Sequence, residues 1–258
     1  MTETTPQGTP CWYELSTSDL TAAGEFYSAV LGWNIVDSGM PGMTYHLASA
    51  PDGGGVAGLM GPQGRPDAPP SWLLYFTSDD VDTMAASVTA AGGSVLAPPA
   101  DIPGTGRFAV VTDPQGAAYG LLQPLPMDTP PASPAFDQSS VGHGTWHELM
   151  STDPTAGFAF YADQFGWSRG EAMDMGDMGF YQLFQLAGTE IGGMMGLGQA
   201  PQPAWLPYFG VTSVAEAVDR ITGAGGTIHH GPADIPGGAQ IALANDPQGA
   251  WFAVLGPR

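Results

Sequence analysis

Long-range self-similarity constrains this chain more than any other feature. Tyr13-Glu14-Leu15 returns as His147-Glu148-Leu149, and Leu31-Gly32-Trp33 as Phe165-Gly166-Trp167, both at an offset of 134. Trp72-Leu73-Leu74-Tyr75-Phe76 returns as Trp205-Leu206-Pro207-Tyr208-Phe209, one residue closer. PADIP (99–103 and 232–236) and DPQGA (113–117 and 246–250) complete the series. Matches spread over the whole length at a period above 130 imply a duplicated domain, not a short-period solenoid. The expected division is an N-terminal tail at 1–10, a first domain at 11–124, a Pro/Ser-rich linker at 125–142 and a second domain at 143–258.

Within each repeat the pattern reads β-α-β-β-β, twice. WYELST is a strand, and Asp19 and Asp153 then sit as helix N-caps. The apolar stripe is expected at Ala22, Phe26 and Val30 in one helix and at Ala156 and Phe160 in the other, with Gly32 and Gly166 ending them. Short strands follow near 45–49 and 56–60. SWLLYFTS opens the second half, a helix spans 81–91, and SVLAP, RFAVVTD and AAYGLLQP close the repeat. His229-His230 is expected to open a turn before GPADIP. The Met-rich stretches 36–45 and 171–180 read as connectors, with a role as lids suggested by mobile Gly and adaptable Met.

Charge excludes several partners. Five Arg and no Lys stand against 25 acidic residues, a net charge of −20. Such a field repels phosphate backbones and anionic lipid, so neither nucleic acid nor membrane is expected as a partner. Cys11 is the only cysteine, which rules out an intrachain disulfide and a Cys-based zinc cluster. No secretory signal or spanning segment is visible, and the expected location is cytoplasmic. With two modules already in one chain, a monomer or homodimer is expected.

Phe26-Tyr27…Leu31-Gly32-Trp33, Phe160-Tyr161…Phe165-Gly166-Trp167 and the DPQG turns at Asp113 and Asp246 carry a resemblance to the glyoxalase / bleomycin-resistance / extradiol-dioxygenase (vicinal oxygen chelate) superfamily. The doubled W-x-E-L…FY…FGW form is similar to tandem actinobacterial proteins labelled hydroxylase or glyoxalase-like. The resemblance implies an α+β fold of two tandem domains, each made from two βαβββ units whose curved mixed sheet surrounds a cavity. It also implies where a metal would bind: a His on the first strand, a His opening the second half and a Glu on the last strand. Those positions hold Trp12, Leu73 and Gly120 in one repeat and Trp146, Leu206 and Ala253 in the other. None of them can ligate a cation. No cofactor is therefore expected; a divalent metal would need unconventional ligands, such as Glu148 with His46.

Alternation along a strand puts Trp12 with Glu14, Trp146 with Glu148, Leu73 with Tyr75 and Leu206 with Tyr208 on shared faces. The resemblance makes these the cavity faces. Glu14 and Glu148 are the candidate acid/base groups, because a carboxyl desolvated beside an aromatic ring has a raised pKa suited to proton transfer. Tyr75 and Tyr208 are candidate oxyanion donors. Trp12, Trp146, Tyr45, Tyr181, Met60 and Met195 are candidate ligand-binding walls. Three functions stay open at this point. The first is a metal-independent enzyme of proton-transfer, cyclisation or hydration type on an aromatic or polyketide-like metabolite. The second is a non-catalytic protein that sequesters a drug or metabolite. The third is a metal-dependent glyoxalase or dioxygenase with unusual ligands. A bland alternative for both glutamates is a structural one, accepting hydrogen bonds that fix local geometry.

Overall fold

A computed structural model of the protein describes residues 5–62, 67–125, 133–198 and 200–258. In the first repeat the order is β1 (Pro10–Ser16), α1 (Leu20–Leu31), β2 (Asn34–Asp37), β3 (Tyr45–Ser49) and β4 (Gly55–Met60). It continues with β5 (Ser71–Thr77), α2 (Val81–Ala90), β6 (Ser94–Ile102), β7 (Gly106–Thr112) and β8 (Ala118–Pro124). The second repeat runs β9 (Gly144–Ser151), α3 (Pro154–Phe165), β10 (Ser168–Asp174), β11 (Phe180–Leu186) and β12 (Thr189–Gly196). Then come β13 (Ala204–Gly210), α4 (Val214–Gly223), β14 (Thr227–Asp234), β15 (Gln240–Asn245) and β16 (Trp251–Gly256). Each repeat yields one eight-stranded mixed sheet, in the orders β2-β3-β4-β1-β5-β8-β7-β6 and β10-β11-β12-β9-β13-β16-β15-β14. The fold is thus the expected α+β one, four βαβββ units in tandem.

The helix ends follow local chemistry. Asp19 caps α1 by accepting from the Ala22 amide, and Asp153 caps α3 by accepting from Thr155 and Ala156. Gly32 and Gly166 close these helices at φ 73° and 71°, a left-handed turn that glycine adopts without steric cost. The buried stripe of α1 is Ala23, Phe26, Tyr27 and Val30, so Ala22 lies beside the core face. In α3 Gly157, Phe158, Phe160 and Tyr161 are buried, while Ala156 is exposed. β2 supplies the third strand that the β-α-β-β-β pattern requires and whose range the sequence does not mark. Two further expectations are corrected. His229 and His230 lie inside β14, which continues through Asp234 rather than turning. Glu171–Asp174 belongs to β10, so only 175–179, with a single 3-10 turn at Gly176–Met178, connects it to β11. The linker expected at 125–142 lies partly outside the described residues. Its end is tied back by Asp137 N–H donating to Gly144 O and Ser139 N–H to Asp137 Oδ1.

By compactness the chain divides into two units that do not coincide with the repeats. One comprises Met1–Cys11, Leu74–Thr129 and His147–Trp205; the other comprises Trp12–Leu73, Pro130–Trp146 and Leu206–Arg258. Each unit takes one βαβββ half from each repeat, and each has an aromatic core. In the second unit Tyr27, Trp33, Trp72, Phe209 and Phe252 meet at centroid distances of 5.1–5.7 Å for the pairs Tyr27–Trp33, Tyr27–Trp72, Tyr27–Phe252 and Trp33–Phe209. There the Trp72 indole donates to Tyr27 Oη at 3.0 Å and Tyr27 donates to Asp246 Oδ2 at 3.1 Å. The first unit repeats the arrangement: Trp205 donates to Tyr161 Oη at 3.0 Å, and Tyr161 to Asp113 Oδ2 at 3.2 Å. Both aspartates belong to the DPQG turns, whose amides donate to their other oxygen. The turn residue of one repeat thus satisfies a buried phenol on the helix of the other, as a desolvated hydroxyl requires.

Candidate functional site

β1 separates two kinds of side chain. Tyr13 and Leu15 are fully buried on one face, while Trp12, Glu14 and Ser16 alternate with them, half-buried, on the other. β1 runs parallel to β4 with Glu14 opposite Gly58, and β3 runs antiparallel to β4 with Leu47 opposite Gly58 and Tyr45 opposite Met60. Tyr45 therefore lies diagonally across Gly58 from Glu14. A Cβ on Gly58 would fall on the Tyr45 hydroxyl, so only glycine leaves room for the phenol to cross the strand. Tyr45 Oη donates to Glu14 Oε2 at 3.2 Å and accepts from Trp12 Nε1 at 3.1 Å. The first of these is long for an O–H···O bond. Burial first, and then the Glu14 charge, push the Tyr45 phenol well above its ordinary pKa, so it holds its proton as a donor. Glu14, Trp12, Tyr45 and Met60 are thus brought together. Glu14 is only half-buried, less enclosed than the apolar setting expected from the sequence.

The second repeat carries the same skeleton. Glu148 stands opposite Gly193 on β12, Gly193 pairs with Leu183 on β11, and the Tyr181 ring occupies the space a Gly193 Cβ would take. Here the carboxyl is more enclosed: Glu148 is 7% exposed and Tyr181 9%. Met195 pairs with Met150 beside them, and Trp146 lies half-buried two residues before Glu148 on β9. Tyr75 is opposite Gly120 and Tyr208 opposite Ala253, both tyrosines buried. A Cβ at Gly120 would enter the Tyr75 ring. A pocket of about 310 Å³ bordered by Ser139, Ser140, Thr145, Gly237 and Gly238 contains none of these candidates.

A family-type metal does not fit these residues. The first expected ligand position holds Trp12, whose indole N–H is spent on Tyr45. The third holds Gly120, and the volume a carboxylate side chain would need there belongs to the Tyr75 ring. Among the described residues no three His, Cys, Asp or Glu are placed to hold an ion. The histidines serve elsewhere. His147 is fully buried; desolvation lowers its pKa to about 4, and its Nδ1 lies 2.7 Å from Ile191 O. His143 is also enclosed, with Nε2 3.1 Å from Asp52. Asp52 in turn accepts from Ser133 and from the Gly54 amide, and these bonds, Ser133's first, lower its carboxyl to about 2. His46 pairs with Asp37 and Leu59 in the sheet ladder, and His229 stacks on Trp251 at 4.1 Å. Met175, Met178 and Phe180, in the segment expected to act as a lid, are exposed.

The sequence does not mark Gly58 or Gly193 as apertures. Their use as apertures depends on diagonal register across three strands. The available signal was a glycine inside a strand, which marks a close approach.

Two segments, 11–119 and 140–254, match the model of the Glyoxalase/Bleomycin resistance protein/Dioxygenase superfamily. The protein named "Putative glyoxylase CFP32" of Mycobacterium tuberculosis is 36% identical over 262 residues, covering 97% of this chain and 95% of its own length. "Anthracycline biosynthesis protein DnrV" of Streptomyces peucetius is 31% identical over 264 residues, covering 96% and 93%. Among solved structures, the 2,3-dioxygenase LapB of Pseudomonas sp. KL28 superimposes with a TM-score of 0.68 at 14% identity, covering 98% of this chain and 93% of that one. The Mn(II)-bound glyoxalase of Novosphingobium aromaticivorans gives 0.67 at 18%, covering 98% and 83%. At such identities these two likenesses concern the fold.

Proposed function

The chain belongs to the glyoxalase/bleomycin resistance protein/dioxygenase superfamily, and from that premise we propose that it is a metal-independent enzyme acting on an aromatic or polyketide-like small molecule. The reaction class is proton transfer, cyclisation or hydration, with Glu14 or Glu148 as acid/base. One observation carries the reading: a carboxylate held by Tyr45 beside Trp12, on the strand face where the superfamily's metal-ligand positions hold groups that cannot ligate. Likeness to proteins named for anthracycline biosynthesis supports the substrate class.

In this reading an aromatic ligand rests against the half-buried Trp12 and the Met60 side of β4. Glu14 takes a proton from a position next to a carbonyl. The candidate phenol is Tyr208 where Glu14 is the base and Tyr75 where Glu148 is, each supplying a hydrogen bond to the oxygen on which charge develops. General base catalysis of this kind contributes roughly 10²–10⁴-fold. A second reading is favoured by the same aromatic wall: the protein holds an apolar metabolite without turning it over.

The test uses protein dialysed against chelator, incubated with aromatic polyketide intermediates and followed by mass spectrometry. Turnover that survives metal removal and falls at least 100-fold in Glu14→Gln or Glu148→Gln supports the enzyme. Binding without turnover by the parent protein selects the sequestering reading. Activity that needs added divalent metal contradicts the proposal.

A further inference from the structure

Across β1, β4 and β3, the order Glu14–Gly58–Tyr45 recurs as Glu148–Gly193–Tyr181 across β9, β12 and β11. Two glycines in strand interiors weaken a sheet unless something uses the space they leave. Here each leaves room for a phenol ring. In the first repeat the polar protons along this wall are already assigned. The Trp12 indole proton goes to Tyr45 Oη, and the Tyr45 proton goes to Glu14 Oε2. Neither donor is left for a ligand. What this wall presents to a ligand is the carboxylate, an acceptor, flanked by the apolar surfaces of Trp12 and Met60.

From this arrangement we infer that Tyr45 is the positioning residue of Glu14, reaching it through the aperture of Gly58, and that the site takes planar ligands bearing an acidic hydroxyl, phenols or enols. The inference deepens the proposed function and rests on it. An anionic ligand without a proton to give would meet Glu14 as a like charge in a chain of net charge −20 and is selected against. A hydroxyl donates to the carboxylate directly, and a carboxylate held in one orientation by a phenol is already aimed.

The experiment measures binding of 1,8-dihydroxyanthraquinone by absorbance titration from pH 4 to 8, beside its 1,8-dimethoxy analogue, on full-length protein. The parent is expected to bind the dihydroxy compound at least tenfold more tightly. Glu14→Gln should abolish that preference. Tyr45→Phe keeps the ring and loses the hydrogen bond that stabilises the carboxylate. Glu14 then protonates more readily, and the acid limb of the binding profile moves to higher pH. Gly58→Ala should produce the same movement by displacing the phenol; if it does not fold, Tyr45→Phe alone decides. Equal affinity of the parent for both compounds overturns the ligand class. A preference that disappears in Glu14→Gln, with an acid limb unmoved in Tyr45→Phe, overturns the positioning role and leaves the proposed function standing. A preference that persists in both Glu14→Gln and Glu148→Gln overturns that function as well.

Discussion

The two compact units agree in their cores, while the two repeats differ at their glutamates. Trp72–Tyr27–Asp246 and Trp205–Tyr161–Asp113 are the same chain of hydrogen bonds, with matching distances within about 0.1 Å. Around the carboxyls the likeness loosens. Glu14 is half-buried, with Trp12 and Tyr45 beside it; Glu148 is nearly enclosed, and its strand neighbour on the core face is His147 where the first repeat has Tyr13. Tyr75 faces Gly120, whereas Tyr208 faces Ala253. Core geometry is held by many coupled contacts and changes little after duplication. A half-open site has fewer such restraints and can diverge.

The largest test of the shared part is removal of the turn aspartates. Asp246→Ala and Asp113→Ala each strand a buried phenol and several amides, and each should cost about 3–4 kcal/mol in urea unfolding. A cost seen for only one of the two aspartates would break the equivalence of the units. His147 sharpens the difference between repeats. Its pKa in the fold, about 4, lies below its ordinary 6.5, so between those pH values the unfolded chain binds a proton that the folded one refuses. Its contribution is complete above pH 6.5 and is lost as pH falls toward 4, amounting to about 3 kcal/mol. His147→Phe should flatten that part of the stability profile, while a change at Tyr13 should not. Exchanging the small residues comes next. Gly120→Ala drives a methyl into the Tyr75 ring and should cost about 2 kcal/mol, against less than about 1 kcal/mol for Ala253→Gly. The smallest effect is at the surface. Arg107 pairs with Asp82 and Asp101, whereas the second repeat has Gln240 donating to Asp234 at the matching place. Arg107→Gln should shift the unfolding midpoint slightly at low ionic strength and not at all in about 1 M NaCl.

Much of this is legible in the amino-acid sequence alone. Helix caps at Asp19 and Asp153 and closing glycines at Gly32 and Gly166 are local chemistry. So is the alternation that sets Tyr13 against Glu14. The repeat itself predicted twin sheets. What escaped was of two kinds. Edge segments gave weak patterns: β10 and β14 are exposed over most of their length, so Glu171–Asp174 read as connector and the Gly-Pro after His229-His230 read as a turn. Non-local geometry left no periodic trace at all. The Tyr45–Glu14 contact needs the registers of β1 on β4 and β4 on β3 together. The division into units drawing on both repeats comes from packing between segments far apart in the chain.

The most direct measurement of the central claim is hydrogen–deuterium exchange at the carbon acid of 1,8-dihydroxyanthrone, followed by NMR in D₂O with chelator-treated protein. The account predicts catalysed exchange that survives metal removal and falls at least 100-fold when Glu14 or Glu148 becomes Gln. Exchange that vanishes with the chelator and returns with added divalent metal, or that ignores both glutamates, would contradict it.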